Sequence, residues 1–139
     1  MTALTLPELV IEASTTFVIS SAIATRDFQD VHHDRDRAQQ RGSQDIFVNI
    51  LTTTGLVQRF VTDWAGPQAI VRNVAIRLGA PCYAGDTLTF AGQAEEVSAA
   101  AADGQFPAGA EYLVRVTGRC SLGDHVTGTV RVLIPGSPA

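Results

Sequence analysis

One stretch of this chain carries a helical apolar period long enough to span a domain, and everything after it alternates as strand. Between Ile46 and Trp64 the apolar residues Phe47, Ile50, Leu51, Leu56, Val57, Phe60, Val61 and Trp64 recur at the spacing of a helix. Ser43 and Asp45 stand ahead of it as N-cap candidates, and Ala65-Gly66-Pro67 supplies the stop. At ~1.5 Å per residue such a helix approaches ~30 Å in length. Its apolar face is broad rather than a narrow seam, so the helix is expected to be largely buried. Gly55 lies inside it at a cost of ~1 kcal/mol relative to Ala, which close approach by another backbone would explain. Thr52, Thr53 and Thr54 are poor helix formers, so tertiary packing has to hold the segment.

What this helix packs against is written downstream. Ala69–Leu78, Thr87–Val97, Glu111–Leu122 and His125–Ile134 all read as strands. The alternation is cleanest in the third, with Tyr112, Val114, Val116 and Gly118 on one side. Ala84-Gly85-Asp86 reads as a turn, Gly123-Asp124 as a two-residue hairpin turn, and Ala99–Gly109 as a loose loop. Ahead of the helix, Thr15–Ser20 is β-branched and aromatic and predicts a strand running on toward Thr25. Residues 1–14 form a lead-in in which Leu6, Leu9, Val10 and Ile11 can pack as one helical turn. The polar run Arg26–Gln44 has room for one short exposed helix over Arg35–Arg41, stopped by Gly42. The expected fold class is α+β in a single domain over residues 1–139, one buried helix against one curved antiparallel sheet.

Composition narrows the function classes. The chain is 45% apolar, yet no window approaches the ~18 apolar residues of a membrane span. A net charge of −4 argues against nucleic-acid partners and a polybasic membrane role. All ten basic residues are Arg, which leaves no lysine for Schiff-base or P-loop chemistry. Met1–Glu8 has no basic leader region, so a secretory signal is not expected. Cys82 and Cys120 fall in no metal-spaced motif and are expected as buried free thiols of a cytoplasmic protein.

The chemistry-bearing residues cluster directly ahead of the long helix, in Asp27-Phe28-Gln29-Asp30-Val31-His32-His33-Asp34. Asp27 and His32 are five positions apart, and neither helix nor strand puts such a pair on one face. They meet only if the chain turns between them, and the Asp-rich sequence permits a turn. A carboxylate and an imidazole that do meet suit general acid–base work on water. Two other readings of the same residues stay open. One is a solvated loop in which Asp30, Asp34 and Asp36 pair with Arg35 and Arg37, and the other is a divalent-metal site from Asp27, His32, His33 and Asp34. The helix N-terminus adds unpaired backbone N–H groups, carried by Val48 to Ile50, that could polarise a carbonyl. Arg72 and Arg77 could meet phosphates, but exposed strand arginines are the commoner case, and His125 in its turn reads as incidental.

Asp27 to His32 followed by the long helix resembles the signature of MaoC-like proteins, the (R)-specific 2-enoyl-CoA hydratases of hot-dog fold. Asp27 and His32 fall on the catalytic acid and base of that signature, and Val31 on its aliphatic position. Leu78-Gly79-Ala80-Pro81-Cys82-Tyr83-Ala84-Gly85-Asp86 is similar to the family's turn into the third strand. The resemblance covers roughly residues 15 to 134. Within the family, Asp30-Val31-His32-His33-Asp34-Arg35-Asp36 and Asp45–Thr52 resemble the small subunit of the heteromeric hydratase of bacterial steroid side-chain degradation. The resemblance implies water addition to a trans-2-enoyl-CoA of steroid side-chain (cholesterol) catabolism, with no cofactor beyond the coenzyme A of the substrate and no metal on this chain. It also implies a partner, a second hot-dog subunit fused to a zinc-containing domain. The Asn49 backbone N–H, beside Val48, falls where the family polarises the thioester. The sequence departs from the family pattern at Gln29-Asp30 in place of Asn-Pro, at Val48-Asn49 in place of His-Gly, and at Val57 where a Ser is common. A hot-dog thioesterase and a non-catalytic assembly subunit are the alternatives.

Overall fold

The computed structural model describes residues 3–136, and its sheet is built from segments on both sides of the long helix. In chain order the elements are β1 (Leu4–Thr5), β2 (Leu9–Ala13), α1 (Thr15–Ala24), a 3₁₀ turn (Asp30–His32) and α2 (Arg35–Gln40). Then follow α3 (Ile50–Ala65), β3 (Ile70–Leu78), β4 (Asp86–Ala100), β5 (Gly109–Cys120) and β6 (Gly123–Pro135). The antiparallel sheet runs β1-β4-β5-β6-β3, with β2 also paired to β4. It is open, because β1 and β2 border one edge and β3 the other.

Two expectations for the N-terminal third are corrected. Residues 4–13 hold two short strands rather than a helical turn, and Ile11 and Ala13 point inward while Val10 and Glu12 do not. That period of two was present in the sequence and marks a strand. Thr15–Ala24 is helix, not strand. Ser14 caps it by accepting the Phe17 N–H at 3.1 Å, and Val18 and Ala22, one turn apart, are its buried stripe. A local cap and one i,i+4 contact with the core outweigh the strand preference of its Thr, Val and Ile residues.

The long helix starts later than its apolar period suggests. Ile46–Val48 is extended and pairs with the loop after β3: Val48 N–H donates to Cys82 O and Ala84 N–H to Ile46 O, both at 3.0 Å. Ser43 and Asp45 serve the turn ahead of this segment, where Asp45 Oδ1 accepts the Ile46 N–H at 2.7 Å, and do not cap α3. Asn49 occupies the cap position without capping through its side chain. Gly66, at φ +95°, ends the helix. Gly55 is exposed, with nothing within 4 Å of where its Cβ would be, so no backbone approaches it.

The core lies between α3 and the sheet. Thr52, Thr53, Leu56, Val57, Phe60 and Val61 form the buried face of α3, packed over Phe90, Val114, Val116, Val130 and Val132. The Phe60 and Phe90 rings stack at 6.2 Å. A side chain at Gly118 would come within 2.9 Å of the Phe90 ring, so this position has to be glycine for the ring to fit. The β5–β6 hairpin turns at Ser121-Leu122, two residues earlier than expected, and Gly123 already pairs with Cys120. Between Gly118↔Val126 and Arg119↔Asp124 the register slips, leaving His125 as the extra residue of a bulge. The polar run behaves as expected, with α2 capped by Asp34 and followed by Gly42 at φ +89°.

Candidate active site

The turn that Asp27 and His32 require is built at the end of α1. Arg26 N–H donates to Ile23 O at 3.0 Å and Asp27 N–H to Ala22 O at 2.9 Å, the two bonds of a Schellman motif. The motif needs a left-handed residue, and Arg26 supplies it at φ 59°. Gly is the usual occupant, because a Cβ there costs ~1–2 kcal/mol. The chain then reverses through Phe28-Gln29 into the 3₁₀ turn, which carries His32 back toward Asp27. Asp27 Oδ2 and His32 Nε2 end 3.5 Å apart, with the two side chains 17% and 7% exposed.

His32 is held from its other side. Its Nδ1 lies 2.8 Å from Phe47 O, and the Phe47 ring meets it edge-on at 4.8 Å. A carbonyl only accepts, so Nδ1 carries a proton, and Nε2 is the nitrogen that faces Asp27. Phe47 is itself set by the strand-like pairing of Ile46–Val48 with Cys82–Ala84, and its ring meets Tyr83 at 6.3 Å. The delayed start of α3 therefore places His32.

Asp27 and His32 open into a cavity of about 310 Å³, large enough for part of a small-molecule ligand. Phe47, Val48 and Ile50 at the entrance of α3 line one side. Leu78 to Pro81 and His125 line the other. Of the three expected backbone donors, Val48 is spent: its N–H goes to Cys82 O, so Val48 contributes surface rather than a donor. The N–H groups of Asn49, Ile50, Leu51 and Thr52 have no intrahelical acceptor, so the expected donors Asn49 and Ile50 are among those this end of the helix offers.

His125 is not incidental. It is 3% exposed, its Nδ1 donates to Ala80 O at 2.8 Å, and its Nε2 accepts from Thr53 Oγ1 at 2.8 Å. Burial pushes its pKa below the ordinary histidine value. Gly79 N–H donates to His125 O at 2.8 Å, and a Cβ at Gly79 would collide with Asp124 O, so only glycine lets the loop close on β6 here. Alternation along β6 hides His125, because the bulge breaks the period at that residue.

The remaining candidates are placed elsewhere. Asp30 pairs with Arg41 at 2.8 Å, which holds its carboxyl below the usual carboxylate range, and Asp34 caps α2. The charge pairs expected among Asp30, Asp34, Asp36, Arg35 and Arg37 do not form among the described residues: Asp30 meets Arg41, Arg35 meets Asp45 at 3.9 Å, and Asp34 accepts the Arg37 backbone N–H. Arg72 binds Glu111 at 2.9 Å and lies over the Phe106 ring, so it faces a carboxylate. Cys82 and Cys120 are free, with burial pushing the Cys82 thiol up to about 12. Among the described residues no helix is long and apolar enough to cross a membrane.

Comparison with known proteins places this geometry. The chain is 57% identical over 127 residues to the 3-oxo-4,17-pregnadiene-20-carboxyl-CoA hydratase beta subunit of Mycobacterium tuberculosis, covering 91% of each. The chain belongs to the MaoC-like hydratase family. A crystal structure of the ChsH1-ChsH2 complex from Mycobacterium tuberculosis contains a chain that superposes with a TM-score of 0.85 at 54% identity, over 96% of this chain and 98% of that one. The (R)-hydratase from A. caviae involved in PHA biosynthesis shares the hot-dog fold, with a TM-score of 0.75 at 18% identity over 93% of each chain. No family model matches the sequence.

Proposed function

We propose that this chain carries the water-activating half of a 2-enoyl-CoA hydratase, with Asp27 and His32 as its catalytic pair. The observation that carries the reading is the approach of Asp27 Oδ2 to His32 Nε2 at 3.5 Å in a cavity, with His32 Nδ1 already committed to Phe47 O. A carboxylate and an unprotonated Nε2 are both acceptors, and a water donating one O–H to each satisfies both. Such a water is positioned and polarised as a nucleophile. Its oxygen adds to C3 of the enoyl thioester, one of its protons passes to the pair, and a proton is delivered at C2, so H and OH are added across the double bond. Negative charge develops on the thioester oxygen as C3 is attacked. The Asn49 N–H, at the positive end of α3, is the donor suited to it.

The acyl group we propose is a steroid side chain, supported by the substrate named for the relative of 57% identity. We also propose a heteromer, as in the ChsH1-ChsH2 complex, and we propose for this chain a partner that is a second hot-dog chain carrying a zinc-containing domain. Phe28, Ile50, Leu51 and Leu78, between 45% and 64% exposed, sit at or beside the cavity and offer the apolar surface a partner or acyl chain would cover. No cofactor is required beyond the coenzyme A of the substrate. Two unpaired cysteines fit a reducing, cytoplasmic setting.

The test is the loss of enoyl absorbance on adding the chain, with its partner, to a trans-2-enoyl-CoA. Asp27→Asn and His32→Ala are each expected to lower the rate by ~10²–10⁴-fold while leaving assembly intact. Near-wild-type rates in both variants would sink the assignment. Release of free thiol instead of loss of the enoyl chromophore would identify a thioesterase.

A further inference from the structure

Asn49 does more than present its backbone. Its side chain is fully buried at the cap position of α3 but makes no bond to that helix. The Nδ2 lies 2.9 Å from Thr25 Oγ1 and 3.2 Å from Asp27 Oδ2. Chemistry fixes which end of the amide faces them. The Thr25 hydroxyl has carbonyl acceptors of its own helix at 2.8 Å (Ser21 O) and 3.1 Å (Ala22 O), so toward Asn49 it offers a lone pair. Asp27, when ionised, offers only lone pairs as well. An amide NH₂ satisfies both groups, and an amide oxygen turned toward them would satisfy neither.

The other end of the amide gains nothing. Asn49 Oδ1 is buried without a hydrogen-bond partner. A position selected for packing alone would be better filled by an apolar side chain of the same size, which strands no polar atom. The oxygen that Asn49 holds is also the one facing His32 Nε2 at 3.5 Å. The second oxygen, Oδ1 of Asp27, is met only by the long Gln29 N–H contact at 3.4 Å.

We propose that Asn49 is a positioning residue: its side-chain amide, braced by Thr25 at the C-terminus of α1, fixes the rotation of the Asp27 carboxylate so that one oxygen faces His32. The other oxygen is left to the reacting water. The inference rests on the hydratase reading, and it assigns the Asn49 side chain a task separate from its backbone N–H.

Asn49→Leu keeps the branching and heavy-atom count and removes both donors. Assayed with the partner on a trans-2-enoyl-CoA, it is expected to lower kcat by ~10–100-fold, the scale of a misplaced reacting group, with KM within about twofold of wild type. Asn49→Ser, which restores one donor, is expected to recover part of that loss. A folded Asn49→Leu with wild-type kcat overturns the proposal, as does a loss that appears in KM alone. If Asn49→Leu does not fold, Thr25→Val decides: a kcat lowered several-fold at unchanged KM supports the brace, and an unchanged kcat overturns it. A wild-type complex that hydrates no enoyl-CoA overturns the hydratase reading and this inference together. An active wild type with an indifferent Asn49→Leu overturns only this one.

Discussion

The cavity is flanked by two histidines anchored in the same way and finished differently. His32 and His125 each donate Nδ1–H to a backbone carbonyl at 2.8 Å, Phe47 O for the first and Ala80 O for the second. The second nitrogen separates them. In His125 it accepts the Thr53 hydroxyl at 2.8 Å, which closes the ring's hydrogen-bonding capacity. In His32 it faces a carboxylate at 3.5 Å and remains able to take or give a proton. One imidazole is a strut between α3 and the loop after β3, and the other is the one proposed to react. The lesson is that an anchored Nδ1 identifies a held histidine, while the partner of Nε2 tells whether it can do chemistry.

Matched substitutions test that contrast most strongly. His32→Gln is expected to cost at least ~10²-fold in hydration rate with little change in Tm, as removal of a general acid–base group does. His125→Gln is expected to show its main effect in Tm. Thermal melts and initial rates on the same preparations check both, and a rate loss in His125→Gln as large as that of His32→Gln would erase the distinction.

A smaller effect follows from opening the strut at its other end. Thr53→Val leaves the buried His125 Nε2 without a donor, at a cost of ~1–3 kcal/mol, seen as a Tm lower by several degrees. A Tm within one degree of wild type would mean that another donor replaces Thr53.

The same strut gives a pH dependence of known sign. The His125 pKa is lowered in the folded chain by burial, so the unfolded chain binds the extra proton first as pH falls. The stability of the neutral, bonded ring is therefore complete above the unfolded histidine value of ~6.5 and is lost as pH drops below it toward the folded value. Tm measured between pH 7.5 and about 5 should fall less steeply in His125→Gln than in wild type. Equal slopes would show that other groups carry the acid sensitivity. The smallest effect belongs to the turn that brings His32 into place. Arg26→Gly removes a Cβ from a left-handed position but adds freedom to the unfolded chain, so stability is expected to rise by no more than ~1 kcal/mol in denaturant unfolding.

These contrasts also mark how far the sequence could be read. The apolar period over Ile46–Trp64 and the alternation of the four strands after it are direct consequences of burying one face of each element. They determined the α+β layout, and the Asp27-to-His32 spacing with its helix beyond carried the resemblance that named the pair and the Asn49 backbone. Where local preference and tertiary packing disagreed, the sequence misled: Thr15–Ala24 reads as strand by composition but is helix because Ser14 caps it and Val18 and Ala22 reach the core.

Only the tertiary structure decided the rest. The Schellman turn at Arg26 depends on two backbone bonds that a periodicity pattern does not encode. The start of α3 at Ile50 rather than Ile46 depends on pairing with Cys82–Ala84, residues far along the chain. The inward turn of His125 depends on a bulge, and the grip of the Asn49 amide on Asp27 joins residues 22 positions apart. Sequence pattern reports which face of an element is buried, because that is set one element at a time. The partner of a polar atom inside the site is set by elements meeting, and the fold decides it.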